Sequence, residues 1–180
     1  MSTMAKSSTG RNRPLQQLQT VADLIETPAL ARIYAHTERQ GPVIVGELVD
    51  ELDIPQGTAY DYVRRLETAG LLERVTESRP YEYNAEAISL TLSVDGTTTT
   101  VTLALIAAIA RMGTDEDVEV YVERHGLDGL AAALEYAFER VEETVTHQIM
   151  ARELDCSPLE AEITLQALEP VARTYSDATK

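Results

Sequence analysis

From residue 15 onward the apolar positions recur mostly at helical intervals. Leu15, Leu18, Val21, Leu24 and Ile25 make one stripe, and spacings of three and four put such residues on one helix face. A second helix is punctuated on both sides, with Thr27 as N-cap, Pro28 first in the helix and Gly41 as the stop; Leu30, Ile33 and Tyr34 mark its buried side. A short strand at 43–45 then leads into a helix ending near Leu52, with Leu48 and Leu52 inward. In "DIPQGTAYDYVRRLETAGLL" a helix is predicted over 55–68, with Ala59, Val63 and Leu66 inward and Gly70 past its end.

The period then changes to two. Leu72 and Val75, then Tyr81 and Tyr83, alternate around a turn at 77–80, which predicts a hairpin. Ile88, Leu90, Leu92 and Val94 lead into Asp95-Gly96 and return through four threonines to Val101, a second hairpin. Beyond 103 the chain is again helical. "LALIAAIARM" is apolar almost all round and ends at Gly113; Thr114 with Asp117 reads as the capping box of the next helix. Leu130, Leu134, Phe138, Val141, Val145 and Ile149 predict one long helix to about residue 150. Ser157, Pro158 and Glu160 open the last one. The predicted fold class is mainly α (α+β): a winged helix-turn-helix with a β-hairpin wing over 15–86, a hairpin extension at 87–102, and a helical module over 103–180 for dimerisation or regulation. A flexible basic tail over 1–14 precedes them.

Residues 51–67, "ELDIPQGTAYDYVRRLE", and 153–169, "ELDCSPLEAEITLQALE", align without gaps at an offset of 102. The second stretch is expected to form a helical hairpin of similar shape. It carries Glu160, Glu162 and Glu169 and no base, so it is not expected on DNA.

Charge changes the picture most. The chain has 30 acids against 15 bases, for a net −15. Lysine occurs only at Lys6 and Lys180, and the acids are interleaved with apolar positions rather than gathered in a tail. Such a composition resembles that of salt-loving archaea, whose proteins work in molar potassium salt. Residues 1–20, with Lys6, Arg11 and Arg13 and no acid, are locally basic. No uninterrupted apolar run reaches the length of a membrane helix, and the N-terminus lacks the apolar run of a secretory signal. A cytoplasmic location is expected, in keeping with the single Cys156. Glycine-rich phosphate loops, His-Glu-x-x-His, Gly-x-Ser-x-Gly and paired cysteines are all missing from the sequence. No enzyme, cofactor or metal site is expected; Asp115, Glu116 and Asp117 read as helix-dipole partners, and any small-molecule effector is unspecified.

"RRLETAGLLERV", with Leu66, Gly70 and Leu71, resembles the winged helix-turn-helix of MarR- and ArsR-like transcription regulators. The resemblance implies that the helix over 55–68 enters a DNA major groove. Thr58 and the N-terminal amides would then hold phosphate while Gln56, Tyr60 and Arg64 reach base edges, with Arg65 beside them. Arg79 at the hairpin tip and Arg74 on its strand would lie over phosphate or the minor groove, and Arg11 and Arg13 would follow a groove as an arm. It further implies a homodimer on double-stranded DNA, for which the apolar helices over 103–112 and 130–150 are the expected contact. The competing expectation is a protein-interaction adaptor of the same fold, which binds no specific DNA.

Overall fold

The computed structural model describes residues 13–88 and 90–179. Of the tail expected over 1–14, residues 1–12 with Arg11, and the side chain of Arg13, lie outside the described residues. The chain divides into two compact units, Met1–Leu90 and Thr91–Lys180. The whole is mostly helical with two small sheets, a helix-rich α+β fold. No helix among the described residues is long and apolar enough to cross a membrane.

The first unit begins with α1 (Arg13–Glu26), two residues ahead of the expected Leu15, and α2 (Pro28–Gln40). Pro28 starts α2 and Gly41, at φ 77°, ends it, a conformation that only glycine adopts without steric cost. A strand β1 (Val43–Ile44) runs directly into α3 (Val45–Leu52), whose start is held by the Ile44 amide donating to the Glu47 carboxylate at 2.9 Å. Asp53, left-handed at φ 51°, turns the chain into α4 (Gln56–Ala69), and Gly70, left-handed at φ 75°, ends it. Two further strands, β2 (Leu72–Arg74) and β3 (Glu82–Ala85), complete an antiparallel sheet in the order β1-β3-β2. Val43 pairs with Tyr83, and Leu72 with Ala85. Leu24, Leu30, Ile33, Tyr34, Leu48 and Leu66 are fully buried in the helical layer, and each such side chain contributes about 1.5–3 kcal/mol by leaving water.

The boundary falls at the start of the hairpin β4 (Leu90–Val94) and β5 (Thr97–Val101), after which the second unit continues with α5 (Leu103–Met112), α6 (Glu116–Val141), α7 (His147–Glu153) and α8 (Pro158–Tyr175). Ala104, Leu105, Ile106, Ala108, Ile109 and Ala110 of α5 are all buried, as are Leu130 and Leu134 of α6 and Leu165 and Leu168 of α8. α8 packs on α5, α6 and α7 and forms the centre of this unit.

Two expectations are corrected here. The helix after Gly113 is capped by Asp115, whose side chain accepts from the Asp117 amide, and not by Thr114; the amides of both Thr114 and Asp115 still return to the Arg111 carbonyl, so Thr114 belongs to the preceding turn. Gly126, non-helical at φ 70°, kinks α6 where the helix begun after Gly113 gives way to the longer one. The stripe through residue 150 is not one helix. Glu143 takes φ 60° and the amide of Thr144 turns back to the Glu139 carbonyl, so the chain reverses before α7. The turn lets Met150 and Ala151 bury, which a straight continuation from Val141 does not require. Within the second unit α5 is buried, and of the stripe over 130–150 Leu130 and Leu134 are buried while Ile149 is 37% exposed.

Candidate nucleic-acid interface

Ala59, Val63, Leu66 and Ala69 fix α4 to the first unit and leave the opposite face in solvent. At its N-terminus Pro55 offers no side-chain acceptor, so the first amides of α4 have no side-chain cap. Gln56 and Gly57 are exposed there and Thr58 is half-buried. A Cβ built on Gly57 meets nothing within 4 Å, so glycine is not demanded by packing at that position. The uncapped turn therefore presents donors to solvent and can approach an anion closely.

One turn on, Tyr60 is 50% exposed. Arg64 stands beside it with its side chain 75% exposed, and among the described residues its ion-pair contact is to the equally exposed Asp61 at 3.9 Å. An exposed pair at that distance contributes little, so the Arg64 guanidinium is available. Arg65 is not. It donates to Asp23 of α1 at 2.6 Å and lies 5.8 Å from the Tyr62 ring, which makes it a brace between α1 and α4. Arg74 is likewise engaged: both its Nε and Nη2 donate to Glu67 of α4, and its guanidinium sits 4.4 Å from the Tyr81 ring centroid. The Glu67 carboxylate raises the Arg74 pKa further above its ordinary value. Arg79, exposed in the turn between β2 and β3, also lies near Tyr81, at 5.7 Å from its ring centroid.

Tyr60, Arg64, Arg79, Pro80, Tyr81 and Tyr83 line a cleft of about 690 Å³ between α4 and the β2–β3 turn, floored by Val63 and Val45. The structure thus gathers Tyr60, Arg64 and Arg79 on one concave surface, with Gln56 and Thr58 at the N-terminal end of the same helix. Arg65 and Arg74 are tied back into the fold beside it. Tyr81 and Pro80 belong to the cleft but were not among the predicted site residues. Their sequence signal was an aromatic two residues from Arg79, read only as strand alternation. The partner Asp23 could not be read from local pattern, because it is forty-two positions from Arg65.

In the second unit the outward side chains of α8 are paired rather than free. Glu162 receives Arg140 Nη1 and Nη2 at 2.8 and 3.0 Å and meets His147 Nδ1 at 3.0 Å, and the Arg140 bonds hold its carboxyl at about 2. Glu160 meets Arg124 and His125 at 3.2 and 3.1 Å. Among the described residues no group of three His, Cys, Asp or Glu is arranged to hold a metal ion.

Neither a curated protein nor a solved structure gives a match to the chain. Residues 112–177, which take in α6, α7 and α8, match a family of unknown function, DUF7437. Residues 31–89, which include α3, α4 and the whole cleft, match the model described as sugar-specific transcriptional regulator TrmB.

Proposed function

We propose that the chain is a DNA-binding transcription regulator whose first unit is a winged helix-turn-helix, α4 being the recognition helix and the β2–β3 hairpin the wing. The observation that carries this reading is the free Arg64 guanidinium beside Tyr60 on the open face of a helix whose N-terminal amides are uncapped. The similarity of residues 31–89 to a transcription-regulator family supports it. In the groove, the amides of 56–58 and Thr58 take phosphate, while Gln56, Tyr60 and Arg64 meet base edges; arginine suits guanine and glutamine suits adenine. Arg79 lies over the backbone, Arg11 and Arg13 extend the contact, and Arg65 and Arg74 hold the reading helix and wing in position. The second unit serves for dimerisation and regulation, so that two reading helices meet half-sites about one DNA turn apart.

The net charge of −15 belongs, in this reading, to a halophilic archaeal cytoplasm. At about 1 M salt charges are screened beyond roughly 3 Å. Repulsion of DNA at a distance is then small, and so is the counterion-release gain, which leaves groove fit and hydrogen bonds to supply the affinity.

Selection of bound sequences from a random pool, followed by titration of the selected fragment with Arg64→Ala and Arg65→Ala, tests the reading. Arg64→Ala is expected to weaken specific binding by about 1–3 kcal/mol and relax one base position, with thermal stability unchanged. Arg65→Ala is expected to lower stability by up to about 1 kcal/mol, the range of an exposed ion pair, with base preference retained. Selection of no sequence, or equal binding by Arg64→Ala, would favour the protein-interaction adaptor instead.

A further inference from the structure

We infer that the outer edge of β4 is a self-association surface, taking β4 of a second copy of this chain in antiparallel register about Leu92. This rests on the dimeric reading above and names the contact.

The hairpin turns at Asp95 and Gly96, with φ 50° and 81°. Positive φ at both positions marks a two-residue type I′ turn, in which the flanking residues, Val94 and Thr97, exchange backbone hydrogen bonds. Bonding then alternates along an antiparallel ladder, so Val94, Leu92 and Leu90 bond to β5, while the N–H and C=O groups of Ser93 and Thr91 face outward. The side chains agree with this register. Thr91 meets Thr100 at 3.3 Å and Ser93 meets Thr98 at 3.0 Å, as close non-hydrogen-bonded pairs do.

An open edge is ordinarily blocked by charge, proline or a bulge. β4 has none of these. Residues 87–110 hold a single charged side chain, Asp95, in a chain where one residue in four is charged. For the helix over 103–110 burial explains the lack of charge, but Leu92 and Val94 are 39% and 67% exposed. A two-stranded ribbon exposed in this way is marginal in water by itself.

The sequence of the edge selects its occupant. "LTLSV" reversed about Leu92 sets Leu90 against Val94 and Thr91 against Ser93, so apolar meets apolar and hydroxyl meets hydroxyl, and Leu92 faces its symmetry mate. The outward groups of Thr91 bond those of Ser93 in the second copy. The edge is also uncharged, so no like charges come into direct contact across it in a chain of net charge −15. The β5 edge, centred on Thr99, would bring together hydroxyls in place of leucine.

Five residues a side bury less than the about 1,200–2,000 Å² of a standard interface, so the association is concentration-dependent and covalent trapping reads it best. In a Cys156→Ser background, Leu92→Cys places the two thiols at a non-hydrogen-bonded pair with Cα atoms about 4.5 Å apart, within disulfide reach. Val94→Cys puts its thiols about four residues out of register, roughly 13 Å apart. Mild oxidation in high salt is expected to cross-link the first several-fold more than the second, on non-reducing gels. Ser93→Pro removes an outward N–H while sparing the bonds to β5, and is expected to abolish the dimer seen by sedimentation at high concentration with the helical content kept. Equal cross-linking at the two positions, a dimer intact in Ser93→Pro, or a monomer at every concentration would each overturn the edge contact. None of these touches the DNA reading, which stands or falls on Arg64→Ala.

Discussion

The two corners aligned by the sequence offset, α3–α4 in the first unit and α7–α8 in the second, turn in the same way and are used in opposite ways. Asp53 and Asp155 both take φ 51° between their helices. Ala59 and Ala161, Val63 and Leu165, and Leu66 and Leu168 occupy matching positions and are all buried to within 2%. The outward positions diverge. Tyr60 and Arg64 stand where α8 has Glu162 and Gln166, and Arg65 stands where α8 has the buried Ala167. On α8 the outward carboxylates are claimed by Arg140, Arg124 and two histidines of the same unit. On α4, among the described residues, Arg64 keeps only a long contact to Asp61. The inward pattern of a helix therefore sets the corner, while function follows from whether its outward face is spent on neighbours.

The largest effects should come from the shared inward positions. Leu66→Ala and Leu168→Ala each remove a fully buried side chain, and each is expected to cost about 2–5 kcal/mol in denaturant unfolding. If the corners are equivalent in packing, the two losses fall in the same range. A loss at Leu66 below about 1 kcal/mol would break the comparison, since it would mean that α4 is held by something other than this face.

Smaller and more specific is the effect of adding one methyl group where the corners differ most in bulk. Gly57 matches Leu159 across the offset. A Cβ at Gly57 finds open space within the chain, so Gly57→Ala is expected to leave the fold intact and raise stability by up to about 1 kcal/mol. It also stands between the α4 amides and any phosphate that approaches them, and specific DNA affinity is expected to fall by the worth of a charge-assisted hydrogen bond, about 1.5–3 kcal/mol. Leu159 is 69% exposed, and Leu159→Ala is expected to change stability by no more than about 0.5 kcal/mol and DNA affinity not at all. Titration of the selected fragment and thermal melting read the two sides of this contrast.

Local punctuation made much of the fold legible. Thr27-Pro28, Gly41, Gly70, Asp95-Gly96 and Ser157-Pro158 each bracket the element that the apolar period indicated, because caps and turns depend on chemistry within a few residues. The turn at 142–146 was not legible. Val141, Val145 and Ile149 keep a spacing of four through it, and no glycine or proline interrupts them; the reversal depends on the burial of Met150 and Ala151 within the second unit. The cleft was half legible for a similar reason. Gln56, Thr58, Tyr60 and Arg64 could be read as outward from helical period alone. Which arginines are free could not, because Asp23, Glu67 and Tyr81 are brought to Arg65 and Arg74 only by the tertiary fold.

The gentlest contrast between the units lies in their response to acid. His36 is 7% exposed, its Nε2 lies 3.1 Å from Glu51, and burial pulls its pKa below the ordinary 6.5 despite that carboxylate. The unfolded chain thus binds a proton that the folded one resists. Stability from this site is complete above about pH 6.5 and declines as pH falls below it. In the second unit Glu162 is ionised down to about 2 against an ordinary 4.5, so its contribution is complete above 4.5 and is lost only as pH falls toward 2. Denaturant unfolding at a series of pH values, followed by exchange-protected amides in α2 and α8, should show the first unit beginning to weaken as pH falls below about 6.5 while the second holds. His36→Gln should flatten the first decline and leave the second in place. Glu162→Gln should do the reverse, because the amide keeps the shape of the carboxyl but offers Arg140 no charge. A first unit that weakens only below pH 4.5 would mean that Glu51 outweighs burial at His36, and the two corners would then share an acid response as well as a turn.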